Sequence, residues 1–146
     1  MRSTAALLAA CLVTLGGATA HAQASALSAQ QAWIRAVPGS DVAAAYLTLH
    51  NAGTQSVVVV GVRSPAAGMA MIHETALVNG KSSMRPHERL RVGAGETVRL
   101  APGGLHIMLQ RLNRTLAPED EVPLVLLLEG GGSVEVIAHV RPLGEE

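Results

Sequence analysis

The stretch Val122-Pro123-Leu124-Val125-Leu126-Leu127-Leu128-Glu129, Gly130-Gly131-Gly132-Ser133, Val134-Glu135-Val136-Ile137-Ala138-His139-Val140 decides the fold. Two short apolar runs rich in β-branched residues flank a glycine turn, which reads as a hairpin. Working back toward the N-terminus, the same grammar repeats. Leu105 to Leu112 follows Pro102-Gly103-Gly104, and Arg89 to Val92 and Thr97 to Leu100 are short strand candidates. Met69 to Leu77 ends at Asn79-Gly80, a strong tight-turn signal. Ser56 to Val62 is a continuous β-branched run and reads as a buried strand. Ala43 to His50 stops at Asn51-Ala52-Gly53, and Trp33 to Val37 stops at Pro38-Gly39. No segment carries a long, capped pattern of period 3.6. Many short strands at near-regular spacing predict an all-β sandwich or barrel in a single domain.

Composition narrows the function classes. The 146 residues suffice for one domain of ordinary size. Charge is balanced, with 11 basic and 11 acidic residues, and no basic run tracks a phosphate backbone or an anionic membrane. Trp33 and Tyr46 are the only aromatics, so stacking platforms for single-stranded nucleic acid are missing. The core must be built from Val, Leu, Ile and Ala, which suits a thin sheet-on-sheet interior.

The first 22 residues read as an export signal. Arg2 supplies a positive n-region, Ala5 to Ala18 an apolar or small-residue run, and Ala20-His21-Ala22 an A-x-A cleavage site. A competing reading takes Leu8-Ala9-Ala10-Cys11 as a lipobox. Cleavage after Ala22 discards Cys11, the only cysteine, and leaves a mature chain with neither disulfide nor thiolate. The expected organisation is a signal peptide at 1–22, a linker at 23–31, the β domain at 32–142 and a frayed tail at 143–146. The expected location is periplasmic, with no stable membrane insertion.

The side chains that carry chemistry are thioethers and imidazoles. His106-Ile107-Met108 would place His106 and Met108 on one strand face, with Ile107 toward the core. The alternative is a gap-filling Met beside a surface His. Met69-Ala70-Met71-Ile72-His73 repeats the spacing of two, so Met69, Met71 and His73 share a face, and Met71 is either a spare ligand or core. Met84 lies in the polar stretch Lys81 to Pro86, read as a loop, where it is either incidentally exposed or placed to reach something. His50, His87 and His139 read as structural or solvated residues. Thioether and imidazole donors suit Cu(I), whereas Ca²⁺ and Mg²⁺ want oxygen and structural zinc favours thiolates. A blue-copper electron carrier needs a Cys thiolate, which the mature chain lacks.

The long-range spacing is more specific than any fragment. Ten residues separate His73 from Met84, and twenty-one separate Met84 from His106-Ile107-Met108. This H-x10-M-x21-H-x-M pattern resembles the signature of the PCuAC family of periplasmic Cu(I) chaperones. Ala32-Trp33-Ile34-Arg35-Ala36, Ala45-Tyr46-Leu47-Thr48-Leu49-His50-Asn51, His73-Glu74 and Pro102-Gly103-Gly104-Leu105-His106-Ile107-Met108-Leu109 look like further family landmarks. The chain departs from the family at Leu126 to Leu128, where a Phe is usual, and at Glu119-Asp120, where Gly-Asp is usual.

The resemblance implies a cupredoxin-like Greek-key β-sandwich in which His73, Met84, His106 and Met108 hold one Cu(I) ion. It implies a metallochaperone, not an enzyme, delivering copper toward cytochrome c oxidase assembly. The partner would be a copper-accepting protein, either an oxidase subunit or an assembly factor, and not a nucleic acid. Copper sequestration or resistance uses the same ligands and stays open at this point, as does a metal-free sandwich for adhesion or assembly.

Overall fold

The computed structural model describes residues 26–144. The expected signal peptide, with Cys11, lies outside the described residues, as do Glu145 and Glu146 of the expected tail. The glycine-turn hairpin forms as read: a strand over Glu121–Leu128 pairs antiparallel with one over Ser133–Arg141, in a register that sets Val134 against Leu126. Gly130, Gly131 and Gly132 all take positive φ, which explains three glycines in a row at this reversal.

Ten strands run along the described chain. In order they are β1 (Leu27–Ala36), β2 (Val42–Asn51), β3 (Val57–Arg63), β4 (Ala67–Val78), β5 (Lys81–Pro86), β6 (Leu90–Val92), β7 (Thr97–Leu100), β8 (Leu105–Leu112), β9 (Glu121–Leu128) and β10 (Ser133–Arg141). The hydrogen-bonded path is β5-β4-β8-β2-β1-β10-β9-β3-β6, with β7 pairing β2 beyond the reach of β8. Pairs are antiparallel except β1 with β10, where the last strand returns beside the first. The path folds over on itself. Ile72 of β4 and Val59 and Val92 of β3 and β6 lie toward opposite ends of it, yet they share one core with Ile34, Leu49, Ile107, Leu124 and Val140. The result is the all-β, cupredoxin-like sandwich that the strand pattern and the family signature predict.

Asn51 closes the fold at the end of β2. It is fully buried. Its Nδ2 donates toward the carbonyls of Gln55 (2.7 Å), Val92 (3.1 Å) and Gly93 (3.0 Å), and its Oδ1 accepts from the Gly53 amide (3.0 Å). Gly53 is required there, because an added Cβ would lie 2.9 Å from Ala26 Cβ and 3.1 Å from Asn51 Oδ1. One side chain thus ties the turn after β2 to the end of β6.

Two expectations need correction. The linker at 23–31 is strand from Leu27 onward, and Leu27 is buried in the core. A bulge hides this: Gln31 has φ of 54°, and the register against β2 slips between Gln30 and Trp33. The loop expected around Met84 is the strand β5. Every residue of β5 is exposed, so it carries no apolar pattern. Backbone pairing to β4 across the Asn79-Gly80 turn, both residues at positive φ, holds it in place.

Candidate metal centre

Strand alternation fixes which side chains meet. Ile72 of β4 and Ile107 of β8 are directly paired and both are buried in the core. Their neighbours Met71, His73, His106 and Met108 therefore project from the other face. The register sets His73 against His106 and Met71 against Met108. The two imidazoles meet edge to face, with ring centroids 5.9 Å apart and planes at 84°. Beyond β4, Pro86 stands opposite His73 and Met84 opposite Thr75. Met84 is therefore a diagonal neighbour of His73 on the same face. All four residues of the spacing signature share one face of β5, β4 and β8.

The face continues into an aromatic wall. On β2, Ala44 pairs with Met108, and the Tyr46 ring lies 6.4 Å from that of His106. Trp33 of β1 pairs with Tyr46 at a centroid distance of 4.5 Å. The guanidinium of Arg141 sits 4.6 Å from the Trp33 ring, and that of Arg35 5.8 Å from it. Sequence reading treated both aromatics only as landmarks. Their place beside His106 depends on cross-strand register, which no local pattern reveals.

Burial grades the site. His106 is only 5 % exposed, His73 and Met108 are half-buried, and Met84 on the edge strand is 55 % exposed. His106 Nδ1 lies 3.0 Å from the carbonyl oxygen of Gly104. A carbonyl only accepts, so Nδ1 carries the proton and donates, leaving the Nε2 lone pair for a ligand. Such a second contact orients metal-binding imidazoles and raises their basicity. His73 is the opposite case. Both its ring nitrogens are buried and neither has a hydrogen-bond partner among the described residues. Burial, then repulsion from His106, holds its pKa below the usual 6.5. At neutral pH it is an uncharged donor with an unused lone pair. A buried polar group left unpaired costs about 1–3 kcal/mol, and a ligand that takes the lone pair relieves that cost.

The remaining histidines among the described residues lie elsewhere. His50 Nδ1 is 3.0 Å from Thr97 Oγ1, and His139 Nδ1 is 3.9 Å from Glu121. His87 follows β5 in a loop, half-buried, with Nδ1 4.0 Å from Glu74. Among the described residues no three His, Cys, Asp or Glu side chains converge on a metal position. The donors gathered on this face are imidazoles and thioethers, a set that suits a soft ion.

A family profile described as "Putative lipoprotein LpqE-like" matches residues 27–140. The chain belongs to the LpqE-like family. This LpqE-like chain is 34% identical over 144 residues to "Putative lipoprotein Lxx21020" of Leifsonia xyli subsp. xyli, covering 92% of this chain and 86% of that protein. Its structure is similar to the solution structure of CuI-DR1885 from Deinococcus radiodurans, with a TM-score of 0.64 and 32% identity, over 86% of this chain and 85% of that one. It is also similar in fold to the copper-bound PCuAC domain from PmoF2, with a TM-score of 0.66 and 20% identity, over 80% of this chain and 93% of that one. The PCuAC kinship expected from the spacing signature holds for this LpqE-like protein.

Proposed function

We propose that this chain is an exported Cu(I) chaperone that holds one ion on His73, Met84, His106 and Met108 and delivers it toward cytochrome c oxidase assembly. The observation that carries the reading is His73: both its ring nitrogens are buried with no partner among the described residues, in ladder register with an oriented second imidazole and beside thioethers. Two neutral nitrogens and two thioethers form a donor set suited to Cu(I). The relative from Deinococcus radiodurans, 32% identical, was solved as its CuI form. Both processing routes read from the sequence, cleavage after Ala22 or acylation at Cys11, export the chain, and neither leaves a free thiol to compete for copper.

Delivery requires that the ion can leave. Met84 sits on the exposed edge strand, while His106 and the ring nitrogens of His73 are covered, so an acceptor's ligand can replace Met84 first and draw the ion out stepwise. No substrate bond is made or broken, which makes the protein a carrier rather than a catalyst. The test is to mix the Cu(I)-loaded protein with a copper-free oxidase subunit and follow metal transfer. Ligand exchange predicts an observed rate that rises with acceptor concentration. A rate independent of the acceptor would mean release into solution, and retention against a tighter acceptor would favour sequestration.

A further inference from the structure

The spacing signature leaves out Met71, and the sheet register puts it back. Met84 and Met108 stand on opposite sides of the histidine pair, at the levels of Thr75 and Met71 respectively. Those levels are four residue steps apart on β4, about 13 Å along the strand at roughly 3.3 Å per residue. Met71, by contrast, is directly opposite Met108 and one step along the same face from His73. Directly opposed residues of an antiparallel pair have Cβ atoms about 5 Å apart, within easy reach of two thioethers. Met71 does not belong to the core, because its neighbour Ile72 occupies the buried side and Met71 is half-buried on the site face. Among the described residues, His73, His106, Met71 and Met108 form a two-by-two block from β4 and β8 alone.

We propose that Met71 is a further thioether ligand of this site, closing a resident donor set with His73, His106 and Met108, while Met84 is the exchangeable donor through which copper enters and leaves. The inference rests on the reading of this face as a Cu(I) site and assigns its methionines different tasks. Met84 meets the ion from the exposed edge. Met71 takes over when Met84 lets go, so the ion remains held until an acceptor engages. The flexible, unbranched arm of methionine suits such an exchange of positions.

The test compares Cu(I) affinities, measured against a chromophoric Cu(I) chelator, of wild type, Met71→Leu, Met84→Leu, the double variant and Met108→Leu. Leucine keeps an apolar side chain of similar volume without a sulfur donor, and swaps of this kind are well tolerated. Met71→Leu should weaken binding roughly tenfold. The double variant should lose more than the product of the two single losses, because each thioether covers for the other. In wild type with isotope-labelled methionine methyls, Cu(I) should shift the Met71 signal. Affinity unchanged by Met71→Leu in both backgrounds, together with an unshifted Met71 methyl, would overturn the assignment. Met108→Leu separates the two levels of failure. If it weakens binding while Met71→Leu does not, only the role of Met71 falls. If neither matters, the copper site itself is misplaced.

Discussion

A His73→Leu variant is expected to be more stable than the wild-type apo-protein and to bind Cu(I) more than about a hundredfold more weakly. The two effects share one cause. Both ring nitrogens of His73 are buried without partners among the described residues, which leaves an unsatisfied polar group in the folded apo-protein. Replacing it with an apolar side chain of comparable size removes that penalty and should raise stability by about 1 kcal/mol. The same change deletes a central donor of the site. Since losing a mere supporting contact to a metal ligand costs about 10–100-fold in affinity, losing the ligand should exceed that range. Acid sharpens the comparison. The His73 pKa is lowered by burial and then by His106, so the unfolded chain takes up a proton near pH 6.5 that the folded chain refuses. Stability from this group is complete above pH 6.5 and is lost as pH falls below it toward the depressed folded value. Denaturant titrations between pH 7.5 and 5 should show that component in the wild type and not in the variant. A histidine with only a packing role would give a variant that is less stable and still binds copper.

An Asn51→Leu substitution should cost about 3 kcal/mol of stability, the largest loss expected from any single polar side chain of the fold. Its side chain is fully buried and serves the carbonyls of Gln55, Val92 and Gly93 and the amide of Gly53. Leucine fills the space and satisfies none of them, and each buried backbone group left unpaired carries a penalty of about 1–3 kcal/mol. The contacts join β2 to β6 across the fold, so their loss should loosen the sandwich as a whole rather than fray one turn. Urea unfolding of the apo-protein measures it directly. A loss below about 1 kcal/mol would mean that neighbouring groups re-pair easily and that Asn51 is not the tie described.

The ends of the strands were legible where turns announce themselves. Asn79-Gly80 and the three glycines at 130–132 sit where the chain reverses, and Pro102-Gly103-Gly104 sits where β7 gives way to β8 along the same side of β2, because those positions demand backbone conformations that few residues accept. Burial-driven reading failed where burial is absent. All six residues of β5 are exposed, so the strand is invisible as an apolar pattern although its backbone is paired. The start of β1 was hidden by the bulge at Gln31, which breaks the period of two. Within a strand, that period correctly put His106 beside Met108 and His73 beside Met71. It could not say that His73 faces His106, because the two are thirty-three positions apart and meet only through the register of β4 and β8. The long spacing signature supplied that link by resemblance. Met71 stayed ambiguous because alternation does not say which face is the core; the buried Ile72–Ile107 pair does.

The most direct measurement of the central claim is a Cu(I) titration of the wild-type protein beside the Met84→Ala, Met108→Ala double variant, under anaerobic conditions with a competing chelator. The wild type should bind one equivalent tightly, and the double variant should bind it far more weakly while melting cooperatively as a folded protein. Equal Cu(I) affinity in the two proteins would contradict a thioether–imidazole copper site on this face.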